Sequence, residues 1–220
     1  MFPREKKTSD LFVISAVQRS NVTALRHCLE NGCSPDVYVE HPFKQYALHF
    51  ACKGNVDYHI VKLLLDSDAD PFCKDVFGRI PLHYLTQNWD ITTADILTKA
   101  MQRHTGGAHA DELKDCRGCT PLHLAYTVQD ANSIGMRNFL SGWFDNRKSY
   151  DTNGHSPVAL ATLAGNMLVI EEHMTKFPDD WGCICPKNGE TLFLVSAMGG
   201  RREVSEFIAV EGKKMGVFMH

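Results

Sequence analysis

The feature that most limits what this chain can fold into is a stretch of sequence that keeps returning. A short apolar run closed by two small or short residues occurs at Ser15-Ala16, Ala51-Cys52, Leu85-Thr86, Ala125-Tyr126, Ala161-Thr162 and Ser196-Ala197. Successive copies lie 36, 34, 40, 36 and 35 residues apart. A chance motif does not return at so regular a step. A period of roughly 20–50 residues marks an array of small units, each unable to bury its apolar face without a stacked neighbour. The 220 residues are 44% hydrophobic and 22% charged, enough apolar area for such a core and too much for a wholly disordered chain.

The copies also share residues. Leu48-His49-Phe50-Ala51, Pro81-Leu82-His83-Tyr84 and Thr120-Pro121-Leu122-His123-Leu124-Ala125 follow one pattern, and Ser156-Pro157-Val158-Ala159-Leu160-Ala161 and Thr191-Leu192-Phe193-Leu194 follow it with losses. Upstream stand Asp75-x-x-Gly78, Asp115-x-x-Gly118 and Asp151-x-x-Gly154; downstream of the second copy stands Ile60-Val61-Lys62-Leu63-Leu64-Leu65. Pro suits a first helical turn, where its missing N–H costs nothing, and a preceding Thr or Ser can cap the free N–H groups. Val61, Leu64 and Leu65 form the i, i+3, i+4 stripe of a second, amphipathic helix. The Asp-x-x-Gly segments are turns, and Gly32 and Gly212 stand where a helix end needs positive φ.

This pattern resembles the ankyrin repeat, over about residues 10–212. The resemblance implies a mainly α fold, a solenoid of stacked helix-turn-helix units with short β-hairpin or finger loops. One domain, 1–220, is expected, with repeats near 10–39, 40–74, 75–114, 115–150, 151–185 and 186–214. The polar residues 1–9 read as one cap. The last helix, with Arg201, Arg202, Glu203 and Glu206, reads as the other, although apolar Val217-Phe218-Met219 leaves open an array that continues. The step of 40 places extra residues in the third repeat, around Trp89-Asp90-Ile91 and in a flexible loop over 103–110 containing Gly106-Gly107. The fifth repeat has a long connection over 177–186.

Charge and apolar patterning narrow the function classes. With 23 Lys+Arg against 26 Asp+Glu and no long basic run, general nucleic-acid binding lacks its electrostatic basis. The apolar stretches at 11–17 and 157–170 fall short of the roughly 18 residues of a membrane span. Residues 1–7 carry positive charge without an apolar stretch behind them, so no secretory signal is expected, and Asn21-Val22-Thr23 reads as a chance acceptor sequence. Eight cysteines are too few for a disulfide scaffold, which points to free thiols in the cytoplasm or nucleus.

The chemistry-bearing residues all have plainer roles open to them. Cys116-x-x-Cys119 with His123 has the look of a partial zinc site, but the cysteines occupy ordinary turn positions and read as surface thiols. His104, His109 and Asp111 offer a second metal reading on the inserted loop. Cys28, Cys52 and Cys73 sit where small apolar residues belong. By the resemblance, His49, His83 and His123 are structural, each joining its own turn to a neighbouring backbone. No nucleophile elbow, phosphate loop, dinucleotide fingerprint or paired-histidine helix is present. Catalytic residues, metal ligands, cofactors and a small-molecule substrate are therefore not expected.

What remains is recognition of a protein by a chain monomeric on its own: an adaptor, or an inhibitor that occludes its partner's surface. The alternative is an enzyme or metal-binding protein using the inserted loop. By the resemblance, partners bind the hairpin tips and the exposed ends of first helices, on a concave face. The candidates are Phe43, Phe77, Arg79, Gln87, Asn88, Trp89, Arg117, Thr127, Asn153 and His155, within a wider set that includes Val17, Gln45 and Cys119. Phe77, Arg79, Trp89 and Arg117 stand out because binding hot spots favour aromatic residues and Arg. The plainer reading is that Phe77 and Trp89 cover neighbouring repeats, as Trp143, Phe144 and Trp181 would cover the core.

Overall fold

The protein is described by a computed structural model over residues 8–40, 42–54, 57–105, 113–129, 133–143 and 148–216. The inserted loop at 106–112, with His109 and Asp111, lies outside the described residues, as do Phe144, residues 217–219 and most of the polar N-terminal segment. The chain divides into two compact units, Met1–Cys116 and Arg117–His220. Helices follow one another in pairs through both.

The first unit holds α1 (Thr8–Gln18) with α2 (Val22–Glu30), α3 (Ala47–Lys53) with α4 (Tyr58–Asp66), and α5 (Pro81–Leu85) with α6 (Ile91–Thr105). First helices stack on first helices, α1 on α3 on α5, and second on second, α2 on α4 on α6. Val13, Val17, Leu25, Leu48, Ile60, Leu64, Leu82, Leu97 and Met101 fill the space between them. The only sheet among the described residues is a small antiparallel hairpin, β1 (Tyr38–Val39) with β2 (Gln45–Tyr46), pairing Tyr38 with Tyr46 and Val39 with Gln45.

The second unit repeats the scheme with α7 (Pro121–Thr127) and α8 (Ser133–Trp143), α9 (Pro157–Ala164) and α10 (Met167–Lys176), and α11 (Leu192–Met198) and α12 (Arg202–Lys214). Here α7 packs on α9 and α9 on α11, around Leu122, Met136, Leu140, Ile170, Val195 and Ile208. A 3₁₀ turn, Pro178–Gly182, occupies the long connection and buries Trp181, which serves as core cover.

How each first helix begins depends on one residue. The His three positions after the N-cap accepts the cap residue's own N–H: Tyr46 to His49 Nδ1 at 3.1 Å, Ile80 to His83 at 3.2 Å, Thr120 to His123 at 3.1 Å. With Nδ1 accepting, the proton sits on Nε2, which donates to Arg79 C=O from His49 (2.8 Å) and to His155 C=O from His123 (3.2 Å). Each of these two rings thus ties its own turn to the next repeat. Burial pushes the His49 pKa down. Where that position holds Ala159 or Leu194, the Ser156 and Thr191 hydroxyls accept the helix N–H instead.

Two expectations are corrected. Gly212 does not end a helix: it is buried inside α12, one turn after Ile208, and Gly216 takes the left-handed φ of +76°. The stripe Val204, Ile208, Gly212 needs a small residue there, and Lys213 and Lys214 favour the helix's negative end. Residues 103–105, expected in a loop, extend α6. Arg201, just ahead of α12, is exposed as expected, and it is also tied to the preceding repeat. Its Nε donates to Leu163 C=O at 3.1 Å, and its aliphatic stem covers Gly165.

Candidate functional site

In the first unit the tips are ordered by their own backbones. Asp75 Oδ1 accepts the N–H groups of Phe77 (2.8 Å) and Arg79 (2.9 Å), which folds the turn, and Gly78 takes φ +71°. The Val76 N–H donates to Phe43 C=O at 3.1 Å, and Cys116 N–H to Phe77 C=O at 2.8 Å. Behind this ladder lies a buried polar network. Tyr84 Oη donates to Asp75 Oδ2 at 2.5 Å and accepts from Gln45 Nε2 at 2.7 Å.

The ladder brings Phe43 and Phe77 together. Their ring centres lie 5.5 Å apart, and the side chains are 40% and 39% exposed, beside Val76 at 54%. The Arg79 guanidinium lies over Phe77 at 5.5 Å. Its Nε is buried, 3.8 Å from Asp115 Oδ2 and without a hydrogen bond. Arg79 is thus partly committed within the protein. Gln87 and Asn88 are exposed just after α5; Asn88 Nδ2 donates to Lys53 C=O at 2.6 Å, and Trp89 is half-buried.

In the second unit Arg117, Thr127 and Asn153 are exposed. Arg117 C=O accepts the Thr152 N–H at 2.8 Å, and the Asp151 turn copies that of Asp75, with Oδ1 accepting from Asn153 and His155, both at 2.8 Å. His155 departs from its expected open position: it is only 8% exposed. The turn rolls its ring inward, with Nδ1 3.6 Å from Asp151 Oδ2 and Nε2 3.9 Å from Glu190 Oε2. Val17, Gln45 and Cys119 are likewise buried, Val17 by helix stacking and Gln45 by its bond to Tyr84.

Two features escaped sequence reasoning. One is a line of buried groups: Tyr126 Oη meets His173 Nδ1 at 2.8 Å, and His173 Nε2 meets Asp180 Oδ2 at 2.9 Å. Arg137, buried beside it, pairs with Glu172 and Ser133. The adjoining cavity of about 10 Å³ has room for a single water, so the line joins α7 to α10 rather than facing a substrate. The other is a convergence of His155, Cys185 and Glu190, whose ligating atoms all lie within 4.8 Å of one another. Among the described residues no other three such groups meet, and Cys116, read from the sequence as a surface thiol, is exposed. Burial pushes the Cys52 thiol up to about 12 and, with Asp180 nearby, that of Cys183 to about 11.

Helix pairs whose first helices stack on first helices, joined by Asp-x-x-Gly tips and His-bridged helix starts, define a repeat protein, and the tips of its first unit carry the exposed pair Phe43 and Phe77. The family model described as Ankyrin repeats (3 copies) matches residues 13–105 and 48–132, more than half of the chain. The protein belongs to the ankyrin-repeat family, whose repeats are generally protein-interaction modules and typically not enzymes. No curated protein matches it. Among the described residues, no helix is long and apolar enough to cross a membrane.

Proposed function

We propose that this protein is a non-enzymatic recognition module that binds a partner protein through the tips of its first unit, as an adaptor or as an inhibitor that occludes the partner's surface. The observation that carries this reading is the Phe43–Phe77 pair, two-fifths exposed on a hydrogen-bonded ladder. An aromatic held open on a rigid backbone gives little to the free fold. On binding it removes a large apolar area from water with little ordering cost. Gln87 and Asn88 supply polar contacts at the helix end, and Arg117, Thr127 and Asn153 are the corresponding exposed positions of the second unit. The free cysteines support a reducing compartment, cytoplasm or nucleus.

A photo-crosslinking residue placed at position 77, and separately at Arg202 on the exposed flank of α12, tests the assignment in cells. The reading expects a discrete protein adduct from 77 and none from 202. Adducts from 202 alone contradict it.

A further inference from the structure

The stacking of the tips sets up a second site. In the first unit the residue just before an N-cap, Arg79, faces the Asp that opens the next tip, Asp115, at 3.8 Å. The same relation in the second unit brings His155 against the residue that opens the last tip, which here is Cys185. The Cys185 N–H donates to Glu190 C=O at 2.8 Å and the Gly189 N–H to Cys185 C=O at 2.9 Å, so this tip closes tightly and sets Cys185 and Glu190 side by side. A bridge between Ile184 and Thr191 holds its base. Nitrogen, sulfur and oxygen donors from two successive tips therefore converge.

We propose that His155, Cys185 and Glu190 bind a divalent transition-metal ion, with zinc the best match to the donor set. A thiolate excludes magnesium and calcium as the preferred ion, while imidazole, thiolate and carboxylate together suit zinc. Zinc bonds of about 2.0–2.3 Å place neighbouring tetrahedral donors roughly 3.3–3.8 Å apart. His155 Nε2 and Glu190 Oε2 stand 3.9 Å apart before any ion draws them in.

The burial pattern points independently to a ligand. The His155 side chain is nine-tenths buried, and its Nδ1 has no hydrogen-bond partner, nor has the buried Glu190 Oε2. Polar atoms withdrawn from water and left unpaired are costly, and a cation resolves Glu190 directly. It resolves His155 through Asp151: as Nε2 turns to the ion, Nδ1–H closes its 3.6 Å gap to Asp151 Oδ2. That is the carboxylate–histidine–metal relay that fixes tautomer and ring orientation. Asp151 is a positioning residue here, and its other oxygen is already fixed by two backbone N–H groups. Three protein ligands leave a fourth position for water, and the ion clips the last two tips together. This departs from the expectation of no metal, and places it away from both the Cys116–Cys119 segment and the inserted loop.

Full-length protein, stripped with chelator and kept reduced, is titrated with Co²⁺ and then with Zn²⁺. The proposal expects one equivalent of Co²⁺, a thiolate-to-cobalt charge-transfer band, displacement by Zn²⁺ and a higher melting temperature with metal. Cys185→Ser abolishes the band, whereas Cys116→Ser and Cys183→Ser keep it. Asp151→Asn, which retains the turn's acceptor oxygen, weakens binding about 10- to 100-fold. Circular dichroism of each variant reports folding. A wild-type titration with no thiolate band overturns the proposal without reference to any variant. So does a band that survives Cys185→Ser or disappears in Cys116→Ser.

Discussion

Replacing Tyr84 by Phe deletes one oxygen from the centre of the first unit and leaves ring and packing in place. That oxygen donates to Asp75 Oδ2 at 2.5 Å and accepts from Gln45 Nε2 at 2.7 Å, with all three residues buried. The variant therefore strands an amide and a carboxylate oxygen, with no cavity term to add. A neutral hydrogen bond contributes about 0.5–1.5 kcal/mol and one to a charged group about 1.5–3, so the loss should be roughly 2–4 kcal/mol. For a chain of this size that is a fall of roughly 5–15 °C in melting temperature. Urea melts followed by circular dichroism measure the loss. Hydrogen exchange locates it: the Phe77 and Arg79 amides, bonded to Asp75, should exchange faster. A loss below about 0.5 kcal/mol, the scatter of ordinary surface changes, refutes the role given to this network.

Four further outcomes are expected. Leu122→Ala, truncating a side chain only 1% exposed, should cost roughly 2–5 kcal/mol in denaturant melts, while Arg202→Ala should stay within about 0.5. Gly118→Ala should destabilise clearly more than Gly32→Ala: both have positive φ, but a Cβ at 118 would lie 2.9 Å from the Thr152 backbone nitrogen and one at 32 meets nothing. Stability should drain as pH falls below about 6.5, the ordinary value for His, because burial depresses His49 and the unfolded chain takes up the proton first; a pH series on His49→Gln should show a shallower fall. A thiol reagent should modify exposed Cys116 quickly and spare Cys52, whose thiol is raised to about 12, until the chain unfolds.

The fold was legible because its signals are local and repeated. Pro121, His123 and the Asp115-x-x-Gly118 turn announce a helix start and a tip wherever they recur. The structural part of the three repeat histidines followed from the ankyrin resemblance that their shared position carries. Side-chain direction was less legible. Alignment treated His155 like the open tip residues, yet its ring turns inward, toward Asp151 and Glu190. The His155–Cys185–Glu190 convergence joins residues 30 and 35 positions apart. Its one local sign is that Cys185 stands where earlier tips have Asp. Arg201 is exposed, as its charge suggests, but its tie to Leu163 C=O was not legible, because it depends on Gly165, with no Cβ, leaving the space its stem fills.

The central claim, that the Phe43–Phe77 pair is where a partner protein docks, is tested most directly by one titration. A partner captured by wild-type protein is purified and titrated against wild type and against the Phe43→Ala/Phe77→Ala variant. The account predicts at least about 2 kcal/mol of lost affinity, roughly thirtyfold, the level of a binding hot spot. The variant's far-ultraviolet spectrum should stay close to wild type and its melting temperature should fall only modestly, since each side chain is about three-fifths buried. Unchanged affinity in a folded variant contradicts the claim.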